Sequence, residues 1–242
     1  AKTLKVLYEY SQRGERGCAE LLLKRYTDET IYNRETKEWL KYKNGVWVKD
    51  SILNIKWRSQ EFLLYIFTKI AHLAEAQEFK LKQLARDESD NEQEFKREAS
   101  RYKKYALSFD KTKKAVTYNK TSDQILALLA TAEDIGTANS DFDQHPLLIN
   151  LQNGYYDLEQ GQFYDSDPKK RFLCQFRTNY IAEAKPEKWI KFLETIFEGD
   201  QERIEYIQKL VGISLTGKAD FQAVIFCFGD GRNGKSTFIE TL

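Results

Sequence analysis

An unbroken apolar run, Ala223 to Phe228 (AVIFCF), passes directly into Gly229 to Ser236 (GDGRNGKS) and on into STFIETL. No other stretch limits the possible folds as strongly. A continuous apolar run of this length fills a strand buried on both faces. A glycine loop followed by a helix start then predicts strand, phosphate loop and helix. The loop fits G-x-x-x-x-G-K-[ST] at every specified position. Gly229 and Gly234 admit backbone conformations closed to residues with a Cβ. The N–H groups of Gly229, Asp230, Gly231, Arg232, Asn233 and Gly234 can then converge on phosphate oxygens. Lys235 brings a cation to the β- and γ-phosphates, and Ser236 offers a hydroxyl to Mg²⁺. ATP with Mg²⁺ is therefore the expected cofactor pair. The motif alone does not separate a kinase, a GTPase, a transporter ATPase and a helicase.

The remainder of the 242 residues reads as helical with β-hairpins. Helices are predicted over Gly17 to Tyr26, Ser59 to Leu84 (with Phe62, Ile66, Ile70 and Leu73 on one stripe) and Phe95 to Phe109. Another opens at Thr121 and Gln124, which resemble a capping box. Glu38 to Lys49 is expected to be a hairpin turning at Asn44-Gly45. Leu147 to Leu158 repeats the pattern around Asn153-Gly154, and Gly161 marks a further turn. Pro186 suits a first helical position, followed by a stripe of Trp189, Phe192, Leu193, Ile196 and Phe197. After a break at Gly199-Asp200, Ile204, Ile207, Leu210 and Val211 mark a second helix. The expected fold class is α+β. A mostly helical domain with β-hairpins occupies residues 1–218, and the first strand and P-loop of an α/β AAA-like ATPase domain occupy 219–242.

Composition narrows the functional classes. Net charge is only +1, so a polyanion must be met by a local patch rather than by the whole surface. Cys18, Cys174 and Cys227 are far apart and form no CxxC pair; His72 and His145 have no ligand spacing. That pattern argues against zinc and suits a reducing compartment. No apolar run reaches membrane-span length, so the cytoplasm is expected and no membrane partner. The chain contains no methionine and stops six residues after Ser236, which predicts a piece of a longer protein.

Several stretches together resemble the C-terminal region of phage and plasmid primases, related to the poxvirus primase–helicase. Gly17 to Leu21 looks like that family's opening helix. Trp39-Leu40, Gly45-Val46-Trp47 and Asp50 resemble its hairpin W-L-x-x-x-x-G-x-W-x-x-D. Pro146 to Leu158 resembles P-x-L-x-N-x-x-N-G-x-x-D-L. Asp165 to Pro168, Asn179-Tyr180, Trp189 to Leu193 and Leu210 to Gly217 (LVGISLTG) follow in order. The family loop G-x-G-x-N-G-K-S-x fits Gly229 to Thr237, including Gly231 and Asn233. The resemblance implies a superfamily-three replicative helicase, an ATPase that unwinds DNA as a homo-hexameric ring on single-stranded DNA. It implies that a primase domain can lie upstream, and that the host cytoplasm is the compartment if the gene is phage-borne. The acidic pair, polar sensor and arginine finger of the family fall beyond residue 242, so no catalytic residue is expected here and this piece alone is expected to be inactive.

Two readings of the same parent remain. One is the motor with its preceding domain; the other is a non-catalytic DNA-binding or oligomerisation module. LVGISLTG and the Gly231-Asn233 pattern argue against a third, a P-loop kinase or signalling ATPase. For DNA, Lys96 to Lys120 holds nine basic residues against two acidic ones. Phe95, Ala99, Tyr102, Ala106 and Phe109 share a stripe expected to pack inward, leaving Arg97, Arg101 and Lys104 outward with Lys103, Lys113 and Lys114 nearby. Sequence-independent contact with single-strand phosphates is one reading of this segment; a solvated helix face is the plainer one. Trp39, Trp47 and Trp57 read as core rather than base-stacking platforms. Asn150, Asn153 and Asp157 read as turn and framework residues, and His72 and His145 as structural or solvated.

Overall fold

The computed structural model describes residues 2–87, 89–218, 224–229, 231 and 233–242. They form two compact units, Ala1–Lys43 with Val48–Asn139, and Asn44–Trp47 with Ser140–Leu242. The mixed α+β class holds, with helix predominating. The expected boundary at 218/219 abuts residues 219–223, which lie outside the described ones.

The first unit contains α1 (Lys2–Gln12), α2 (Gly14–Tyr26), β1 (Thr30–Asn33), β2 (Glu38–Lys43), β3 (Val46–Asp50, of which Val46 and Trp47 fall in the second unit), α3 (Ile52–Asp87), α4 (Glu92–Val116), α5 (Asn119–Ala130) and β4 (Gly136–Thr137). Strand order is β3-β2-β1-β4. β1 runs antiparallel to β2, with Ile31 opposite Leu40 and Tyr32 opposite Trp39, and parallel to β4. The β2–β3 hairpin turns where the Asn-Gly pair predicts. Asn44 and Gly45 take φ of 50° and 85°, the two positive values a type I′ turn requires.

The core lies where α3 and α4 pack along their lengths. Phe67 and Phe109 are both fully buried, with ring centroids 6.3 Å apart. Ala71 and Ala74 on α3, and Ala99 and Ala106 on α4, are small enough for the helices to approach while the large rings fill the gaps between turns. The inward α4 stripe is as expected: Ala99, Tyr102, Ala106 and Phe109 are buried and Phe95 half-buried. At α1 and α2 a Cβ on Gly17 would lie 1.9 Å from the Tyr10 carbonyl oxygen, so only glycine permits that approach.

Four expectations of local structure need correction. α3 begins seven residues before Ser59, and its buried face is Ile55, Leu63, Phe67, Ile70 and Ala74, while Leu73 is half exposed. A helix with apolar residues on several faces offers more than one stripe of period 3.6, and tertiary contact selects among them. For the same reason Trp57 is exposed, although Trp39 and Trp47 are core. Thr121 does not cap α5, which begins at Asn119 after Tyr118; instead the Ser122 hydroxyl donates to the Val116 carbonyl.

The strand expected before the loop is likewise absent among the described residues. Residues 224–229 adopt no strand, and Val224, Phe226 and Phe228 are exposed at 78%, 81% and 91%. A strand exists only through the ladder of hydrogen bonds to its neighbours. No strand among the described residues pairs with 224–229. Ala223 lies outside the described residues.

The second unit contains the three-stranded antiparallel sheet β5 (Leu148–Leu151), β6 (Gly154–Asp157) and β7 (Gln162–Tyr164), then α6 (Glu187–Ile196), α7 (Gln201–Ser214) and α8 (Lys235–Thr241). Gly161 turns β6 into β7 with φ of 65°. Pro186 occupies the N-cap position of α6, one residue before the first helical position, and its carbonyl accepts from the Ile190 N–H at 2.9 Å. The Asp200 carboxylate accepts from the Arg203 backbone N–H and caps α7.

Candidate functional site

The glycine loop leads into α8, as the motif requires. The Lys235 Nζ lies 2.8 Å from the Gly229 carbonyl oxygen and 2.7 Å from Asn233 Oδ1, which holds the ammonium over the loop. The Asn233 side chain lies against Gly229: a Cβ there would stand 2.2 Å from Asn233 Nδ2. Gly229 therefore makes room for Asn233, and Asn233 in turn helps to place Lys235. Gly234 has φ of 82°, and a Cβ on it would meet Ile196 Cγ2 at 2.7 Å and Phe192 Cε2 at 3.2 Å. Ser236 and Thr237 are exposed in the first turn of α8. Gly231 is exposed as well, and Asp230 and Arg232 lie outside the described residues.

Sequence reasoning found the α6 stripe but not its job. Phe192 and Ile196 back the loop at Gly234, and Trp189 stacks on Phe238 of α8 with ring centroids 5.6 Å apart. The signal was present in the aromatic stripe; what it packs against was not.

Several of the stretches that carried the family resemblance come together in the second unit. Asn150 is buried, and its Nδ2 donates to the Gly45 and Cys174 carbonyl oxygens at 3.1 and 2.8 Å. The Trp47 backbone N–H donates to the Phe172 carbonyl and its Nε1 to the Pro168 carbonyl, at 2.8 and 2.9 Å. Asn153 exchanges two hydrogen bonds with the Tyr180 backbone. Asp157 accepts from the Glu159 and Gln160 N–H groups. The Gly217 N–H donates to the Pro146 carbonyl at 2.8 Å. These asparagines and this aspartate satisfy backbone groups in turns and strand ends, the framework role expected of them. His72 and His145 are solvent-exposed.

At the end of the hairpin, the Asp50 side chain is fully buried in the first unit. It pairs with Arg58, accepts from Lys41 Nζ and Asn54 Nδ2 at 3.3 Å each, and so is compensated from three directions.

The basic segment lies on α4. Arg97, Arg101, Lys103, Lys104 and Lys114 are exposed, and Lys113 is half-buried. Arg101 pairs with Glu98, Lys113 with Asp110 at 2.7 Å, and Lys104 sits 5.8 Å over the Tyr8 ring. Helical period places Arg97, Arg101 and Lys104 on one outward row, Lys103 and Lys114 on its flank, and Lys113 apart from them.

The sequence matches the family described as D5 N terminal like over residues 19–198. The chain belongs to that family, which is the N-terminal region of the poxvirus-type primase–helicase. It is similar to a protein of Acanthamoeba polyphaga mimivirus named "Putative helicase L207/L206", 24% identical over 232 residues, covering 93% of this chain and 22% of that protein. It is also similar to the protein named "Uncoating factor OPG117" in monkeypox virus and in vaccinia virus, 26% identical over 119 residues, covering 45% of this chain and 15% of those proteins. The chain thus spans under a quarter of the length of the relatives it matches. Among the described residues no helix is long and apolar enough to cross a membrane.

Proposed function

We propose that this chain is part of a viral or mobile-element replicative DNA primase–helicase whose full-length form unwinds DNA at the expense of ATP. Gly229 to Thr237 holds the nucleotide phosphates. Lys235 faces the β- and γ-phosphates, and Ser236 supplies a hydroxyl ligand to the accompanying Mg²⁺. That ion, when bound, neutralises charge on the transferred phosphoryl group. The observation that carries this reading is the placement of Lys235, whose ammonium is fixed by Gly229 and Asn233 at the mouth of a glycine loop entering a helix. Family membership and the mimivirus relative's name support the helicase assignment. The parent acts as a homo-hexameric ring on single-stranded DNA, and Arg97, Arg101, Lys103, Lys104, Lys113 and Lys114 contribute phosphate contacts. Its compartment is the cytoplasm of the host.

The test is unwinding of a forked duplex by the full-length parent and its Lys235→Ala variant. Loss of unwinding with the fold retained supports the motor; unchanged unwinding removes it. A second reading, a non-catalytic DNA-binding or oligomerisation module, is favoured by one observation. The family match ends at residue 198, upstream of the loop. Under that reading Lys235→Ala leaves every activity of the parent unchanged.

A further inference from the structure

The outward face of α3 carries a row of side chains that no described residue covers. Trp57, Glu61, Tyr65, Lys69 and Leu73 recur at every fourth residue and so form one i±4 ridge on the helix. All five are exposed, Trp57, Tyr65 and Leu73 at 61%, 60% and 50%. Leu64, Thr68 and His72 form the neighbouring ridge. Between the two runs an open groove of about 700 Å³. An exposed i±4 row of this kind is a surface that the side chains of a second helix can meet along its length.

The order of side chains identifies the helix that fits. The ridge reads apolar, acidic, aromatic, basic, apolar. A two-fold axis through Tyr65 reverses that order and matches every member. Trp57 meets the partner's Leu73, Glu61 meets the partner's Lys69, and Tyr65 meets its own equivalent. Each charge finds its opposite once, and the Glu61–Lys69 pair therefore forms twice, as an isologous contact requires. Lys69 already leans across the ridge, donating to the Tyr65 hydroxyl at 3.3 Å with its ammonium 5.6 Å from the ring centroid. Glu61 makes no ion pair with the described residues. One acid and one base give the ridge no excess positive charge, so its aromatics are poorly placed to attract a nucleic-acid strand.

We propose that this α3 ridge docks antiparallel against the same ridge of a second copy of this chain. The interface is separate from the nucleotide loop and stands whether or not the loop binds ATP. One helix crossing buries less than the roughly 1,200–2,000 Å² of a stable interface, so the dimer forms reversibly with concentration.

The test is sedimentation velocity on the 242-residue chain across a concentration series reaching roughly a few hundred micromolar. The wild-type chain shows a monomer–dimer equilibrium. Glu61→Lys and Lys69→Glu each place like charges opposite one another and raise the dissociation constant at least about tenfold. Mixing the two single variants restores association, because each then faces its opposite charge, and so does the double variant Glu61→Lys/Lys69→Glu. Circular dichroism checks that every variant keeps its helix content. A wild-type chain that stays monomeric throughout overturns the proposal. So does a dimer indifferent to either charge reversal, or a mixture of folded single variants that fails to associate.

Discussion

The ionic cluster at Asp50 yields an asymmetric prediction. The Asp50 carboxylate is fully buried, whereas the Arg58 and Lys41 side chains keep 29% and 32% of their surface in water. Replacing Arg58 with methionine strands a buried negative charge, which keeps only the longer hydrogen bonds to Lys41 and Asn54 at 3.3 Å. Removing one partner of a buried pair costs about 3–5 kcal/mol. The surviving Lys41 interaction sets the value here at the lower end, about 3 kcal/mol. For a chain of this size that lowers the midpoint of thermal unfolding by about 6–12 °C. Asp50→Asn is milder, about 1–2 kcal/mol, because the two cations it releases can rehydrate at the surface. Urea unfolding followed by circular dichroism measures both. If Asp50→Asn destabilises more than Arg58→Met, the carboxylate is not the group whose desolvation matters, and the argument fails.

Other predictions follow from the rest of the chain. Residues 1–242 alone should show no steady-state ATP hydrolysis above background; efficient phosphate release would contradict the assignment of the hydrolytic groups to other parts of the parent. Replacing Lys103, Lys104, Lys113 and Lys114 together with glutamine should weaken single-strand binding, read by fluorescence anisotropy. The log–log salt slope should fall by about 0.7 for each phosphate that is no longer neutralised. Lys113, paired with Asp110, should contribute least, and an unchanged slope would return α4 to a solvated face. Burial, with Glu15 nearby, pushes the Cys18 thiol from 9.0 up to about 12. A disulfide reagent at pH 8 should therefore titrate Cys174 and Cys227 quickly and Cys18 only on unfolding. Because the folded thiol ionises later than the unfolded one, this group leaves stability unchanged below about pH 9 and lowers it as pH rises toward 12.

What could be read in advance was mainly local chemistry. Asn44-Gly45 encodes its turn in two residues, because few others accept positive φ at both positions, and at Asn153-Gly154 the glycine alone takes positive φ. The α4 stripe was legible because its aromatics and alanines fall on one face only. α3 was harder: Leu53, Trp57, Leu64, Tyr65 and Leu73 are as apolar as its core face, and only the position of α4 decides which side is buried. β1 (TIYN) and the two-residue β4 escaped notice, since four residues carry too little period to announce a strand that exists through its neighbours. The same dependence on neighbours explains 224–228, where apolar content predicted a strand and the absence of a described ladder partner left none. At the loop, Gly229, Asn233 and Lys235 could be named from their spacing. That Gly229 clears space for Asn233, and that Phe192 and Ile196 stand behind Gly234, depends on tertiary contacts that residue spacing does not encode.

Gly229 to Thr237 is proposed here as the phosphate site of an ATP-driven helicase. The most direct measurement is steady-state ATP hydrolysis by the full-length parent at saturating single-stranded DNA, compared between the wild type and Lys235→Ala. Loss of the only cation that the motif aims at the β- and γ-phosphates should lower turnover on the order of 10²–10³-fold with the unfolding midpoint unchanged. Turnover within about twofold of the wild type, from a variant shown to be folded, would contradict the account.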